Sequence, residues 1–260
     1  MGAHRILILG GTGEARRLAE HVATVSGFDA RISLAGRTAE PRPLPLPTRI
    51  GGFGGAEGLA RYLKEQAIDL MIDATHPFAA RMSVNAAEAS ALTQTPLFAL
   101  RRAAWQPVAG DRWTSVPDID AAVTALGATP RSVFLAIGRQ EAHRFAAAPE
   151  HSYLIRSVDP VDPPLAVPKA VYIRSAGPFT LETESALITE HAIEVIVTKN
   201  SGGDATVAKL DAARALGIEV IMVERRLPPE VPTVETVEAA LAAIAHRFGV
   251  PDVGSMNRGV

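Results

Sequence analysis

The sequence predicts an α/β protein of two lobes, each built as a mainly parallel sheet between layers of helices. Two observations lead to this prediction. Strand-like apolar runs alternate with amphipathic helical patterns from the start of the chain, which is the order of right-handed βαβ units. The alternation then restarts near residue 132, after a segment that lacks it. The length of 260 residues, of which 47% are hydrophobic and 21% charged, suits a globular chain of this kind.

The first predicted lobe spans residues 1–115. Its strand-like runs lie at 5–10, 30–35, 69–74 and 96–101, and its helical patterns lie at 13–26, 55–67 and 77–92. Prolines at every second position from 41 to 47 separate the second strand from a short segment at 49–52. Because alternate prolines favour extended backbone, we expect a non-helical crossover there.

The second predicted lobe spans residues 116–250, and residues 251–260 are expected to form a flexible tail. The strand-like runs lie at 132–137, 152–158, 170–174, 194–198 and 218–223, and the helical patterns lie at 139–148, 180–192, 204–216 and 233–248. We therefore expect two Rossmann-like, three-layer lobes that face each other across a cleft. Interfaces between domains are favoured sites for ligands.

Composition excludes several classes of function. A net charge of −2 gives no support for sequence-independent binding of nucleic acid. No apolar run approaches the ~20 residues that a membrane span needs, and no signal-peptide pattern precedes the first strand. The sequence has no cysteine, and its 7 histidines lack the spacing of metal ligands, so no metal site is expected. A cytoplasmic enzyme without a nucleic-acid or membrane partner is the prediction.

The first strand runs into a glycine cluster that opens the first helix. Gly10, Gly11 and Gly13 let the backbone approach a diphosphate closely, and Thr12 lies between them at the helix start. The motif is incomplete, because Arg16 stands where the dinucleotide fingerprint has its third glycine. The alternative is an ordinary strand–helix turn of an α/β domain.

The second strand ends in a sequence that favours NADPH over NADH. At this point of a dinucleotide fold, a carboxylate holds the ribose of NAD, whereas an arginine accommodates the 2′-phosphate of NADP. The chain has no acid here but has Arg37, with Thr38 as a further hydroxyl donor. The alternative is a solvated loop arginine.

Polar side chains follow the third main strand of the first lobe. Asp73, Thr75 and His76 lie where the carboxyl end of a parallel strand places ligand-binding groups. In the alternative interpretation, Thr75 or His76 caps the next helix and Pro77 occupies its first position.

The second lobe has similar strand-end loops. Residues 199–203, Lys-Asn-Ser-Gly-Gly, join a strand to a helix and form an anion-receptive turn to which Lys199 adds a positive charge. Residues 175–179, Ser-Ala-Gly-Pro-Phe, form a weaker loop of the same kind. The alternative for the first loop is a capped turn with Asp204 at the helix start.

Together these loops resemble the precorrin-6A reductase family of the cobalamin pathway. The resemblance rests on residues 10–16 (Gly-Gly-Thr-Gly-Glu-Ala-Arg), 73–79 (Asp-Ala-Thr-His-Pro-Phe-Ala), 177–179 (Gly-Pro-Phe) and 199–203, with the helix–strand joint at 209–218. It covers about residues 4–227, and the final helix and tail lie outside it.

The resemblance implies NADPH-dependent reduction of the C18=C19 bond of the precorrin-6A macrocycle to give precorrin-6B. The expected partner is this anionic tetrapyrrole, with hand-off to neighbouring corrin-pathway enzymes. The cobalt-containing analogue is the alternative substrate, and a non-catalytic NADP-binding redox sensor is a more remote alternative. A short-chain reductase would need a Tyr-x-x-x-Lys pair, which none of the three tyrosines begins.

The resemblance also implies roles for individual residues. The cofactor-binding residues are Gly10, Gly11, Thr12, Gly13, Glu14, Arg37, Thr38 and Thr75. The catalytic candidates are Asp73, His76 and Lys199. The substrate-binding residues are Phe78, Arg81, Ser175, Gly177, Phe179, Asn200, Ser201, Gly202 and Gly203. The proton donor stays open between His76, Lys199 and water.

Overall fold

The computed structural model describes residues 3–36 and 43–250, and the chain divides into two compact units. Unit 1 comprises Met1–Arg102 and Leu227–Val260, and unit 2 comprises Ala103–Arg226. Each unit contains one sheet of six strands, all of them parallel. The predicted α/β class with Rossmann-like sheets is confirmed. Arg37, Thr38 and the predicted tail lie outside the described residues.

The helices and strands are numbered in chain order. The first ten are β1 (His4–Leu9), α1 (Gly13–Val22), β2 (Phe28–Leu34), β3 (Thr48–Ile50), α2 (Gly55–Glu65), β4 (Leu70–Asp73), α3 (Ala80–Thr93), β5 (Leu97–Leu100), β6 (Trp113–Val116) and α4 (Ile119–Ala125). The others are β7 (Ser132–Ala136), α5 (Arg139–Ala142), β8 (Ser152–Ser157), β9 (Ala170–Arg174), α6 (Leu181–Glu190), β10 (Val195–Lys199), α7 (Ala208–Leu216), β11 (Glu219–Val223), β12 (Thr233–Val234) and α8 (Val237–Phe248). Two 3₁₀ segments, His143–Ala147 and Asp204–Thr206, accompany α5 and α7.

The sheet of unit 1 has the strand order β12-β5-β4-β1-β2-β3. Ile6 and Ile8 of β1 pack with α1 and α8 on one face, whereas Leu7 and Leu9 pack with α2 and α3 on the other. Because helices cover both faces, the central strand is apolar at successive positions rather than at alternate ones. The unit is thus a three-layer α/β/α sandwich.

The sheet of unit 2 has the order β6-β11-β10-β7-β8-β9. Phe134 and Ile196 of its central strands pack with α6 and α7 on one face. On the other face, α4 contacts β11 and the 3₁₀ segment His143–Ala147. The unit therefore repeats the layered plan of unit 1.

The strand order places the candidate loops next to each other within each unit. In unit 1 the chain runs from β1 through β2 to β3 in one direction along the sheet, and then reverses to form β4 on the other side of β1. The loops after β1 and β4 are therefore neighbours. In unit 2 the same reversal occurs between β7 and β10. Open parallel sheets bind ligands at such switch points, outside the carboxyl ends of the strands.

The division of the chain differs from the predicted one. The prediction placed residues 116–250 in one lobe and 1–115 in the other, but β12 pairs with β5 and α8 packs on α1, so the chain returns to unit 1 from Leu227 onward. The predicted helix 233–248 is therefore a short strand followed by α8. Its start at Val237 is fixed by Thr236, whose hydroxyl accepts a hydrogen bond from the Ala239 N–H at 3.1 Å.

Three other predicted helices also begin or end elsewhere. The helix predicted at 77–92 begins at Ala80, because the His76 carbonyl accepts from the Ala79 N–H in a preceding turn, so Pro77 is not its first residue. The helices predicted at 139–148 and 204–216 are partly 3₁₀. None of the helices within residues 3–36 and 43–250 is long and apolar enough to cross a membrane.

Candidate active site

The glycine loop of unit 1 leaves open space where side chains would otherwise stand. Gly11 has φ +124°, a conformation that L-residues rarely adopt, and a Cβ at Gly11 or Gly13 would meet no atom within 4 Å. A Cβ at Gly10 would instead lie 2.7 Å from Ile32 Cδ1, so Gly10 allows β1 to pack against β2. The loop is thus closely packed on the sheet side and open at the start of α1.

Thr12 joins the glycine loop to the loop after β4. Its hydroxyl accepts a hydrogen bond from the Ala15 N–H at 3.0 Å, which caps α1, and donates to the Ala74 carbonyl at 2.9 Å. This contact brings residues 10–13 next to residues 73–75. A single hydroxyl fixes the spacing between the two loops.

Asp73 is the centre of a buried polar network at the end of β4. The residue is 4% exposed. Its Oδ1 accepts from the Thr75 N–H at 3.1 Å and from the Thr75 hydroxyl at 2.6 Å, and its Oδ2 accepts from the Ser83 hydroxyl at 2.6 Å. The carboxylate therefore shapes the loop through which the chain reaches His76.

Two consecutive arginines after β5 contact carboxylates of these loops. Arg101 Nη2 lies 3.5 Å from Asp73 Oδ2, and Arg102 Nη1 lies 2.7 Å from Glu14 Oε2 in the first turn of α1. All four side chains are less than one-fifth exposed. The predicted residues Asp73 and Glu14 are thus each held by a cation that the sequence analysis did not single out.

His76 and Phe78 lie together in the turn before α3. Their ring centroids are 5.9 Å apart, and the Phe78 N–H donates to His76 Nδ1 at 3.2 Å. Because a backbone N–H can only donate, Nδ1 is the acceptor nitrogen, and a neutral ring carries its proton on Nε2. Arg81, in the first turn of α3, is exposed.

In unit 2, Lys199 forms an ion pair with Glu141 of α5. Lys199 ends β10, and Glu141 follows the adjacent strand β7, so the switch point of this sheet brings the two together. The Lys199 side chain is 16% exposed. The ion pair holds the Lys199 ammonium group at the carboxyl end of β10, where the loop 199–203 begins.

Asn200 and Gly202 hold another segment of unit 2. The Asn200 amide accepts from the Trp105 N–H at 2.8 Å and donates to the Trp105 carbonyl at 3.1 Å and to Glu224 at 3.2 Å. A Cβ at Gly202 would lie 2.0 Å from the Ala103 carbonyl oxygen. Gly203 accepts from the Trp105 indole at 3.0 Å, and Ser201 donates its N–H to Lys199. These groups make close intra-unit contacts, which fix the shape of the loop.

The loop 175–179 contacts the segment that follows residue 203. Phe179 donates its N–H to the Ala205 carbonyl at 3.2 Å, and a Cβ at Gly177 would lie 2.7 Å from the same oxygen. Ser175 bonds through its N–H to Ser157. The Phe179 ring lies on the Arg156 guanidinium, with Cζ 3.8 Å from its centroid. Arg156 forms a buried bidentate pair with Glu184, one bond of which is 2.9 Å long.

A comparison with protein families decides the identity of this fold and site. The family model described as precorrin-6x reductase CbiJ/CobK matches residues 5–245. The chain belongs to this family. The predicted resemblance is confirmed, and the chain is accordingly an oxidoreductase of a family that uses a nicotinamide cofactor.

Individual relatives agree with the family. The chain is 60% identical to the precorrin-6A reductase of a Sinorhizobium species over 242 residues, 93% of each chain. It is 49% identical to that of Rhodobacter capsulatus, over 95% of this chain and 98% of the relative. The solved structure of CobK precorrin-6A reductase matches with a TM-score of 0.89 and 48% identity, over 99% of this chain and 100% of that one. The cobalt-precorrin-6A reductase of Priestia megaterium is 30% identical, over 85% and 90%.

The residues of unit 1 fit a dinucleotide. The space at Gly11 and Gly13 is a cradle that a Cβ would partly fill, and it lies at the N-terminus of α1, where backbone N–H groups point outward. Asp73, Thr75 and His76 follow the neighbouring strand. Within residues 3–36 and 43–250, no group of three or more acidic or histidine side chains has the arrangement of a metal site.

Sequence reasoning missed the residues that orient the predicted ones. Arg101 and Arg102 directly follow a strand, so the rule that singled out Asp73 would also have found them. Glu141, Trp105 and Arg156 gave no such signal. Their contacts join positions far apart in sequence, for example 105 with 200 and 156 with 184.

Proposed function

We propose that the chain catalyses the NADPH-dependent reduction of the C18=C19 bond of precorrin-6A to give precorrin-6B. The observation that carries this proposal is the 60% identity to the Sinorhizobium precorrin-6A reductase over 93% of both chains. The open space at Gly11 and Gly13 and the polar network around Asp73 support this proposal. Both lie at the carboxyl ends of the central strands β1 and β4, where open parallel sheets bind ligands.

Unit 1 is proposed to bind the cofactor. Backbone N–H groups of residues 11–13 would hold the diphosphate, since the Gly10 N–H donates to the Ser33 carbonyl at 2.9 Å. Arg37 and Thr38 would hold the 2′-phosphate, and Thr75 the nicotinamide end. Glu14, fixed by Arg102, would border the same loop. When bound, NADPH supplies the hydride that one carbon of the double bond receives.

The other carbon must receive a proton. The Phe78 N–H donates to Nδ1 of His76, and the Lys199 ammonium is engaged in an ion pair with Glu141. We therefore propose that water supplies the proton. His76 would donate a hydrogen bond from Nε2 and help to orient the ring system, and Lys199 would bind a carboxylate of the substrate.

The remaining site residues are proposed to contact the macrocycle. Phe78 and Phe179 offer aromatic surfaces, and Arg81 offers an exposed guanidinium for acetate or propionate groups. The further substrate-binding residues that we propose lie in two loops of unit 2 and are Ser175, Gly177, Asn200, Ser201, Gly202 and Gly203. We further propose that the enzyme works in the cytoplasm and passes its product to the next corrin-pathway enzyme.

The cobalt-containing substrate is the second candidate. The identity to the cobalt-precorrin-6A reductase of Priestia megaterium, 30%, is half of that to the Sinorhizobium enzyme, so the metal-free substrate is favoured. A competition assay with both substrates and NADPH would compare the two specificity constants. We expect precorrin-6A to be preferred, and a preference for the cobalt form would reverse the assignment.

The choice of cofactor is tested by Arg37→Ala. Loss of a guanidinium–phosphate contact should raise KM for NADPH by at least about tenfold and leave KM for NADH nearly unchanged. Steady-state rates of cofactor oxidation in the presence of precorrin-6A measure both. An equal loss for the two cofactors would remove Arg37 from the 2′-phosphate site.

A further inference from the structure

Arg101 has a buried donor that the protein itself does not use. The residue follows β5, and its side chain is 14% exposed. Nη2 is buried and has no hydrogen-bond partner among the described residues, only the 3.5 Å ion-pair contact with Asp73 Oδ2. A buried donor without an acceptor is costly and rare in native proteins, so a ligand acceptor at this position would remove the cost.

The charge around Arg101 indicates what kind of acceptor fits. Asp73 already balances the guanidinium charge, and the Asp73 carboxylate also accepts three hydrogen bonds from Thr75 and Ser83. A second carboxylate would place an additional anion in this buried network, with repulsion from Asp73. A neutral carbonyl oxygen accepts the bond without adding charge. The Arg101–Asp73 pair therefore favours a neutral acceptor over a carboxylate of the substrate.

The position of Arg101 in the sheet indicates which carbonyl this is. The loop that would hold the diphosphate follows β1. The strand β2, whose end would hold the 2′-phosphate, lies on one side of β1. The strands β4 and β5 lie on the other side. A dinucleotide that crosses the carboxyl edge in this direction brings its nicotinamide to the ends of β4 and β5.

We infer that Arg101 donates a hydrogen bond from Nη2 to the carboxamide oxygen of the nicotinamide, and that Asp73 is the positioning residue for Arg101. This inference rests on the proposed function, because it requires that unit 1 binds NADPH. It assigns Arg101 to recognition of the nicotinamide end of the cofactor, separate from the diphosphate and the 2′-phosphate.

The test compares Arg101→Lys with the wild-type chain and with the control Arg5→Lys. Lysine keeps a positive charge near Asp73 but has a single terminal nitrogen, so it cannot both contact Asp73 and present a separate Nη2 donor. The control residue Arg5 is a partly exposed arginine at the start of β1. Calorimetric titration would give the affinities of all three proteins for NADPH and for adenosine 2′,5′-bisphosphate, which carries both phosphates of the adenosine end but no nicotinamide. Thermal unfolding would verify that each variant is folded.

The expected result is that Arg101→Lys weakens NADPH binding by about tenfold and changes the affinity for adenosine 2′,5′-bisphosphate by less than about twofold. Arg5→Lys should change neither affinity. Equal weakening of both ligands, or unchanged binding of NADPH, would overturn the inference. Unchanged NADPH binding with a raised KM for precorrin-6A would assign Arg101 to the substrate instead.

The proposed function fails in a different way. If the wild-type protein binds adenosine 2′,5′-bisphosphate and NADPH and reduces precorrin-6A, but Arg101→Lys behaves as wild type, only the inference is lost. If the wild-type protein does not bind NADPH, both are lost.

Discussion

The Thr12 hydroxyl has two hydrogen-bond partners, and they serve different purposes. One partner, the Ala15 N–H, belongs to the helix that Thr12 caps, and the other, the Ala74 carbonyl, belongs to the loop after the neighbouring strand. A cap alone stabilises a helix, whereas the second bond fixes the glycine loop relative to Asp73 and Thr75. The two contributions can be separated by experiment, because Thr236 caps α8 in the same way.

We expect Thr12→Val to lower the free energy of unfolding by about 1–3 kcal/mol, since it removes the cap and leaves the Ala74 carbonyl without this donor. It should also weaken NADPH binding by about tenfold, because the loop N–H groups are no longer fixed. Urea unfolding followed by circular dichroism and calorimetric titration measure the two effects.

The control for this prediction is Thr236→Val. It should lower the free energy of unfolding by about 1 kcal/mol and leave NADPH binding unchanged. If both variants weaken NADPH binding equally, the link between Thr12 and the cofactor loop has no functional part.

His76→Ala tests whether this histidine donates the proton. Because the Phe78 N–H occupies Nδ1, we expect His76 to orient the substrate, so that the variant raises KM for precorrin-6A and lowers kcat by less than about tenfold. Steady-state kinetics at saturating NADPH separate the two constants. A much larger fall in kcat with an unchanged KM would identify His76 as the proton donor.

At the residue scale, sequence reasoning found groups that follow strands and missed the groups that hold them. The positions of Asp73 and Lys199 can be read from a strand followed by a polar turn. Arg101 also follows a strand and could have been found by the same rule, but its pairing with Asp73 depends on which strands are neighbours in the sheet. In the same way, Lys199 meets Glu141 only because β10 lies beside β7. Strand order is a tertiary property that local spacing does not contain.

Among the helices, α6 carries the most deeply buried charge in a described ion pair. The side chain of Glu184 is only 2% exposed, and its carboxylate accepts hydrogen bonds from both Nη1 and Nη2 of Arg156. The Phe179 ring packs on the Arg156 guanidinium. A buried pair of this kind costs free energy to desolvate, and removal of one partner leaves the other charge uncompensated. The position of the loop 175–179 therefore depends on a residue that no site motif includes.

We expect Glu184→Gln to lower the free energy of unfolding of unit 2 by about 3–5 kcal/mol, because Arg156 stays buried without a counter-charge. The chain has 2 tryptophans, Trp105 and Trp113, and both lie in unit 2. Urea unfolding followed by tryptophan fluorescence therefore reports on this unit.

Glu182→Gln, an exposed change two residues earlier on the same helix, is the matched control and should have a much smaller effect. The pKa of Glu182 is lowered because its carboxylate accepts hydrogen bonds from its own backbone N–H and from Thr180. Equal effects of the two substitutions would show that the Arg156–Glu184 pair contributes no more than an exposed carboxylate does.

The buried central strands were well predicted, whereas the edge strands β6 and β12 and the short helix α4 were missed. Buried central strands such as β1 and β10 give apolar runs bounded by polar turns. The strands β6 and β12 have only 4 and 2 residues, and β6 is followed by the 7-residue helix α4. Elements of this length contain too few positions to show a period, and β6 lacks the buried apolar run that marks the equally short strands β4 and β5.

At the scale of the whole molecule, the chain makes two α/β units, and its end returns to the first. The strand β12 adds an edge to the sheet of unit 1, and α8 covers the same face as α1. The sequence showed an apolar helical face in this region but not which sheet it covers. Both sheets pack against apolar helix faces, and the periodicity of one helix does not distinguish between them.

The pH dependence of the free energy of unfolding tests whether Tyr153 is buried in the folded unit 2. Burial raises the pKa of the Tyr153 phenol above its ordinary value near 10, and the nearby Glu150 carboxylate adds to the rise. The hydroxyl donates to the Ala148 carbonyl at 2.7 Å. The unfolded chain loses this proton near pH 10, whereas the folded unit keeps it. The stabilisation is therefore fully present below about pH 10 and is lost as the pH rises towards the folded pKa.

We expect Tyr153→Phe to lower the free energy of unfolding at neutral pH by about 1 kcal/mol and to make its fall above pH ~10 less steep than in the wild type. Urea unfolding followed by tryptophan fluorescence at neutral and alkaline pH measures both. Identical slopes for wild type and Tyr153→Phe would refute the assignment.

We propose that this chain reduces one carbon–carbon double bond of precorrin-6A with a hydride from NADPH. The most direct measurement is mass spectrometry of precorrin-6A after anaerobic incubation with the protein and NADPH doubly deuterated at the transferring carbon, in ordinary water. We predict a product that has gained one deuterium and one hydrogen, with one cofactor oxidised per product. No gain of mass, or a gain without deuterium, would contradict the claim.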